Sequence, residues 1–191
     1  MPRRPSRTVP TVLLAGPVGE RDWPHWLAEQ LRAAGRDVRT CFLATPEPVA
    51  AGSRLATALD GMPDDGFDVV AHSVGCLVWL HHAAAGPGSP RPARVALVAP
   101  PDAAGAPAEW AGLFPVPLDI DAVRKAADGT ALVGSDNDPQ CPGGVAQQYG
   151  ARLKMATTVV AGAGGFTAED GYGPWPAVLD WCGRDNLAFI A

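Results

Sequence analysis

The sequence lacks the features of a nucleic-acid-binding or membrane protein. Its 191 residues carry a net charge of −5, which leaves no basic surface for a polyanion. The only basic cluster is Arg3, Arg4 and Arg7, in a short leader. The apolar run Val9–Leu14 is far shorter than a membrane span, and we interpret it as a first strand rather than a signal peptide. We therefore expect a cytoplasmic protein that binds neither nucleic acid nor membrane.

The spacings that hold metals or dinucleotides are also missing. The four cysteines contain no C-x-x-C pair, and no His/Asp/Glu cluster has the spacing of metal ligands. The glycine-rich segment that begins at Gly162 lacks both the spacing and the following helix of a dinucleotide fingerprint. We therefore expect reduced thiols, no metal ion and no cofactor.

Short apolar runs alternate with longer stretches whose apolar residues recur every three or four positions, which predicts an α/β fold. The predicted strands are Thr11–Ala15, Asp37–Leu43, Asp68–Ala71, Arg94–Val98, Ala131–Gly134 and Thr157–Val160. The predicted helices are Trp23–Ala34, Val49–Leu59, Ser73–Ala85, Val145–Arg152 and Trp175–Cys182. Continuously apolar strands are typical of a parallel sheet with both faces covered. We expect a flexible tail over residues 1–8 and one domain over 9–191, with a doubly wound, mainly parallel sheet of about six strands.

The strongest chemical signal is a strand-to-helix turn at Ser73, within Phe67–Cys76 (FDVVAHSVGC). Ala71 and Gly75 flank the serine in the pattern A-x-S-x-G. Small residues at these places allow a sharp, strained turn that pushes the hydroxyl outward, as in a nucleophile elbow. A serine that merely caps the helix is the alternative.

The same turn predicts an oxyanion hole. The N–H of Val74 lies at the start of the helix, where backbone donors point toward a developing negative charge. A second donor is expected from the loop after the first strand, at Pro17 or Val18. Both loops follow parallel strands, so they meet at one edge of the sheet.

An aromatic, proline-rich stretch, Pro100–Pro117, is predicted to cover the site as a lid. Trp110 and Phe114 within it, together with Phe166, are the candidate substrate contacts, and they favour a small apolar or aromatic substrate. The same aromatic side chains can equally serve to pack the loop down. A monomer or homodimer is expected.

Four segments together resemble the retinoblastoma-binding protein 9-like family of small serine hydrolases. They are the pair Trp23/Trp26, the elbow AHSVGC, the loop SDNDP, and the ending DGYGPWP, across residues 10–183. The resemblance implies a compact α/β-hydrolase that acts on a small ester, amide or thioester. It also implies that Asp138, the aspartate before proline in SDNDP, is the acid of the triad.

The base of that triad is missing. The resemblance places the histidine at the position of Gly165, and the chain has no histidine in its second half. Of the four histidines, His25, His72, His81 and His82, only His25 is a candidate to reach the site, and His72 is expected to be structural. A serine hydroxyl is a poor nucleophile without a neighbouring base, so hydrolysis is expected to be impaired.

Three functions remain open at this point. The first is a serine hydrolase with a weakened triad. The second is a recruited cyclase, isomerase or lyase that uses the oxyanion hole, with Asp138 as acid or base. The third is a non-catalytic binding protein on a hydrolase scaffold.

Overall fold

The computed structural model describes residues 9–44, 47–64, 66–86, 88, 90–184 and 186–188. The predicted tail over residues 1–8 lies outside these ranges. The strands are β1 (Thr11–Ala15), β2 (Val38–Phe42), β3 (Asp68–His72), β4 (Arg94–Val98), β5 (Gly129–Ser135) and β6 (Thr157–Val160). The α-helices are α1 (Trp23–Ala33), α2 (Pro48–Leu59), α3 (Val74–Ala84), α4 (Ile120–Ala126), α5 (Ala151–Leu153) and α6 (Pro176–Gly183).

The six strands form one parallel sheet in the order β2-β1-β3-β4-β5-β6, which confirms the predicted fold class. The first strand, β1, lies next to the edge strand β2, and after β2 the chain crosses to β3 on the other side of β1. The β1 and β3 strands lie side by side, with Ala15 opposite His72. This switch point opens a crevice at their carboxyl ends, where ligands of such sheets bind.

Helices cover both faces of the sheet and divide the core in two. On one face, α2 and α3 pack against the sheet, and Leu77 and Trp79 of α3 are fully buried. On the other face, α1 and α6 contribute the buried rings of Trp23 and Trp181. The central strands are buried on both sides, which explains why their sequences are apolar without alternation.

The structure differs from the predicted elements mainly between β4 and β6. A 3₁₀ helix, Ala108–Leu113, and the seven-residue α4 were not predicted. The predicted helix Val145–Arg152 is a π-helical turn, Ala146–Gly150, that continues into α5. Within the described ranges, no helix combines the length and the apolar character required to cross a bilayer.

Candidate active site

Ser73 occupies a strained turn between β3 and α3. Its φ of +52° and ψ of −126° lie in a region that residues with a side chain rarely adopt. Its N–H donates to the carbonyl of Val98 at 2.9 Å, which ties the turn to β4. The hydroxyl does not accept a hydrogen bond from the first amides of α3. Ser73 is therefore placed at the helix start without acting as its cap, as in a nucleophile elbow.

Two glycines allow the elbow to approach β1. A Cβ on Gly75 would lie 2.3 Å from the carbonyl oxygen of Leu14, so no larger residue fits there. A Cβ on Gly16 would lie 2.6 Å from Cγ1 of Val74. The loop after β1 and the start of α3 therefore touch, which brings the two predicted halves of the oxyanion hole together.

Of the residues predicted for the oxyanion hole, Pro17 cannot donate, because proline has no backbone N–H. Val74 and Val18 remain the candidate donors. A shallow depression of about 500 Å³ lies beside this loop, lined by Gly16–Gly19 and by Phe42, Leu43 and Ala44.

The hydroxyl of Ser73 donates to Oε1 of Gln140 at 3.1 Å. Gln140 was not among the predicted site residues, although it lies in the loop after β5, only two residues beyond Asp138. The backbone of Gln140 is fixed in turn, because its carbonyl accepts the N–H of Asp102 at 2.8 Å. An amide oxygen is a hydrogen-bond acceptor but too weak a base to remove the proton of the serine. Gln140 therefore orients the hydroxyl and does not activate it.

Asp138 lies in the same loop and is almost completely buried, with 5% of its surface exposed. Its Oδ1 accepts the N–H of Gln140 at 2.8 Å. Burial is the main cause that raises the pKa of this carboxyl to about 6. The hydrogen bond from Gln140 opposes that shift, and the charges of Asp170 and Asp102 add to it.

The backbone of Gly165 lies beside this carboxyl. A Cβ built on Gly165 would lie 3.6 Å from Oδ1 of Asp138, 3.7 Å from Cγ2 of Thr167 and 3.9 Å from Oδ2 of Asp170. These are ordinary van der Waals separations, and the φ of Gly165 lies outside the range that favours glycine. The position can therefore carry a Cβ beside Asp138 without a clash, although this chain has a glycine there.

The loop around Gly165 is held from several sides. The N–H of Gly165 donates to Oδ2 of Asp170 at 3.0 Å, and its carbonyl accepts Nε2–H of His72 at 2.9 Å. The N–H of Gly164 donates to Oδ1 of Asn137 at 2.7 Å. The position of the absent side chain is consequently fixed relative to both Ser73 and Asp138.

Asp22 joins this loop to the loop after β1. Its Oδ2 accepts the N–H of Gly19 at 2.6 Å, and its Oδ1 accepts the N–H of Ala168 at 2.8 Å. The carboxylate thereby bridges the predicted oxyanion loop and the segment that follows Gly165. Sequence reasoning missed Asp22, although it is the residue that precedes α1.

The four histidines bond to or pack against partners other than Ser73 and Asp138. His72 is buried, its pKa is lowered by burial, and its Nδ1 has no hydrogen-bond partner. The ring of His25 packs against Phe42, with 4.7 Å between centroids, and Nε2 of His81 bonds to the carbonyl of Leu113. The ring of His82 lies beside Trp79.

The three predicted substrate contacts are buried or half-buried. Trp110 is 6% exposed and belongs to the core on the α3 face, with the half-buried Phe114 packed against the same cluster. Phe166 is fully buried and contacts the rings of Tyr172 and Trp175 at 4.8 and 5.0 Å. Substrate contact by these residues stays a prediction, and the burial of Trp110 favours the packing alternative.

No group of three or more His, Cys, Asp or Glu side chains in the described ranges is arranged to hold a metal ion. The four thiols, Cys41, Cys76, Cys141 and Cys182, are buried and unpaired.

Comparison with known proteins agrees with the sheet and with a serine hydrolase family. The family model of serine hydrolases matches residues 15–183. The ydeN gene product of B. subtilis superposes with a TM-score of 0.72 at 19% identity, covering 90% of this chain and 95% of that chain. A putative YdeN-like hydrolase from Pectobacterium atrosepticum superposes with a TM-score of 0.66 at 21% identity, covering 93% of this chain and 90% of that chain. At these identities the two structures show a shared fold alone. Among curated proteins there is no match. The comparisons support a serine hydrolase family without confirming the retinoblastoma-binding protein 9-like name.

Proposed function

Because this chain belongs to the serine hydrolase family, we propose that it carries a hydrolase site for small esters, amides or thioesters that lacks its general base. Ser73 is the nucleophile of this site and Asp138 is the acid. The position of the base is Gly165. Hydrolysis by the chain alone is therefore slow.

One observation supports this proposal above all others. A Cβ built on Gly165 lies 3.6 Å from Oδ1 of Asp138 without a clash, and the hydrogen bonds of the loop hold the backbone there. An acid of a triad must accept a hydrogen bond from the base and orient it. Asp138 is buried, fixed by Gln140 and directed at a position with no side chain.

In the proposed reaction, Oγ of Ser73 attacks the carbonyl carbon, and the N–H groups of Val74 and Val18 receive the developing oxyanion. The proton of Ser73 has no acceptor of suitable basicity, since its partner is the amide oxygen of Gln140. In a measured triad, loss of the histidine lowers turnover about 10⁶-fold and leaves roughly 10³–10⁴-fold over water. A residual activity of that size is what we propose for this chain.

A second candidate function follows from the pKa of Asp138. A carboxyl whose pKa is raised to about 6 can both give and take a proton near neutral pH, which suits an acid/base catalyst. A cyclase, isomerase or lyase would use it together with the oxyanion hole. Asp138→Asn abolishes such an activity while Ser73→Ala preserves it, whereas a hydrolase needs Ser73.

The test of the first proposal compares Gly165→His with Gly165→Ala on a short-chain thioester, by following thiol release. We expect Gly165→His to raise kcat/KM by at least about 10²-fold, the lower range for general-base catalysis. Gly165→Ala adds a methyl group at the same position without a base, so it should remain at the level of the original chain. Ser73→Ala or Asp138→Asn in the Gly165→His background should remove the gain.

A folded Gly165→His protein that stays at the original rate would contradict this proposal. Circular dichroism and the urea midpoint establish that the variant is folded. Equal gains in Gly165→His and Gly165→Ala would also contradict it, because they would show that the imidazole is not the active group.

A further inference from the structure

The loops around Ser73 carry an excess of negative charge. Asp22, Asp102, Asp138 and Asp170 all belong to them, and none forms an ion pair with a side chain that the structure describes. The charges of Asp102 and Asp170 are close enough to act on Asp138. A neutral or cationic group is therefore favoured in this site over an anionic one.

Asp138 accepts the fewest hydrogen bonds of these four carboxylates. Asp170 accepts three hydrogen bonds through Oδ2, from Gly165 and Thr167 of its own loop. Asp102 accepts three from backbone N–H groups, and Asp22 accepts one on each oxygen. Asp138 accepts one, from Gln140, and a carboxylate has about four acceptor positions. Asp138 is also the carboxylate nearest to the Cβ position of Gly165.

We propose that the space beside Gly165 receives a basic nitrogen of the substrate, so that the preferred substrates are small esters, thioesters or amides whose acyl part carries an imidazole-like ring. This inference rests on the function proposed above, because it needs Ser73 as the nucleophile. In this reaction an imidazole ring of the substrate takes the role of the histidine that the family resemblance places at position 165.

Imidazole suits this position better than an alkylamine. Its ordinary pKa of about 6.5 leaves a large neutral fraction at pH 7, whereas an amine with a pKa of about 10 is already protonated and cannot accept the proton of the serine. A neutral imidazole has one N–H, to donate to Asp138, and one lone pair, to accept from Ser73. The carboxylate then stabilises the imidazolium that forms.

The proposed reaction needs no reactant other than the substrate and water. The ring nitrogen takes the proton of Ser73 as Oγ bonds to the carbonyl carbon. The tetrahedral intermediate then expels the thiol, alcohol or amine, which takes that proton from the ring. Water attacks the acyl-serine, again giving its proton to the ring, and the ring returns a proton to Oγ as the acid leaves.

The location of the ring within the substrate decides whether turnover occurs. A ring in the acyl part stays at the site and serves both half-reactions. A ring in the leaving group departs after the first half-reaction and leaves an acyl-serine with no base beside it. Such a substrate should acylate Ser73 once, which intact-protein mass spectrometry detects as a stable adduct.

The experiment compares two N-acetylcysteamine thioesters, of 3-(imidazol-4-yl)propanoic acid and of 3-phenylpropanoic acid. Thiol release is measured for the original chain. The rate found with Ser73→Ala is subtracted, because the imidazole ring also promotes hydrolysis of its own thioester in free solution. We expect kcat/KM to favour the imidazolyl thioester by at least about 10²-fold. In Gly165→Ala, whose methyl group takes up room 3.6 Å from Oδ1 of Asp138, the preference should fall strongly.

The Gly165→His variant separates the two proposals. If it hydrolyses both thioesters while the original chain shows no preference for the imidazolyl substrate, the inference is overturned and the serine hydrolase site stands. If a folded Gly165→His hydrolyses neither thioester and the original chain shows no preference, both are overturned. A preference of the original chain that depends on Ser73 and Asp138 supports the inference.

Discussion

Replacing Gly165 and Gly75 by alanine adds the same methyl group in two opposite environments. At Gly165 the new Cβ has no neighbour closer than 3.6 Å, and the φ does not require glycine. At Gly75 the new Cβ would lie 2.3 Å from the carbonyl oxygen of Leu14 and 3.1 Å from Cα of Ala15. The contacts at Gly75 are with the backbone of a central strand, which cannot move without disturbing β2 and β3.

The expected changes in the free energy of unfolding have opposite signs. Gly165→Ala restricts the unfolded chain without strain in the folded one, so it should stabilise the protein by about 0.4–1 kcal/mol. Gly75→Ala forces α3 away from β1, and overpacking of this kind costs about 1–3 kcal/mol or more. We therefore expect the two variants to differ by at least about 1.4 kcal/mol, the sum of the two lower limits.

Urea denaturation followed by tryptophan fluorescence measures both variants against the original chain. Equal m-values would establish that only stability has changed. A Gly165→Ala protein less stable than the original by more than about 1 kcal/mol, a typical destabilising effect of a single substitution, would refute the reasoning. It would mean that the space at Gly165 is already filled, and that no base can be restored there.

Three further predictions concern the charges and hydrogen bonds of the protein. The pKa of Asp138 is raised to about 6 in the folded protein, from an ordinary value near 3.9. The folded state therefore binds the proton of this carboxyl more tightly than the unfolded state does. As a result, the free energy of unfolding falls as the pH rises from 4 to 6. Asp138→Asn should be more stable than the original chain by about 1–3 kcal/mol at pH 8, and the difference should vanish below pH 4. Urea titrations at the two pH values measure it. Arg94→Met should destabilise by about 3–5 kcal/mol, measured by the same titrations, because it leaves the buried Asp68 carboxylate without its bidentate partner. Gln140→Ala in the Gly165→His background should speed acylation by about two- to tenfold, in stopped-flow measurements, since Gln140 no longer competes for the serine hydroxyl.

The sheet was predictable from the sequence because its strands are short, apolar and separated by helices. The six predicted strands correspond to β1–β6, with shifts of one or two residues at several ends. The short α4 was missed, since seven residues with two buried side chains, Val123 and Ala126, give little periodic signal. The π-helical turn of Ala146–Gly150 was missed because it differs from an α-helix in its hydrogen bonds rather than in its pattern.

The site was predictable only where a residue type has a fixed geometric role. The turn at Ser73 follows from the small residues around it, and the structure gives the serine the strained φ of an elbow. Gln140 was not predictable, because its contact with Ser73 joins loops 67 residues apart and no rule of spacing specifies an amide there. The same holds for Asp22, whose two hydrogen bonds connect loops that are close only in the folded chain.

The rate at which a fluorophosphonate probe labels Ser73, followed by intact-protein mass spectrometry, tests most directly whether the site lacks only its general base. A probe of this class reacts with a serine only when a base activates the hydroxyl. We expect Gly165→His to be labelled at least about 10²-fold faster than the original chain, and Ser73→Ala in the same background not to be labelled. Equal labelling of Gly165→His and the original chain, with both proteins folded, would contradict the assignment of Gly165 as the position of the base.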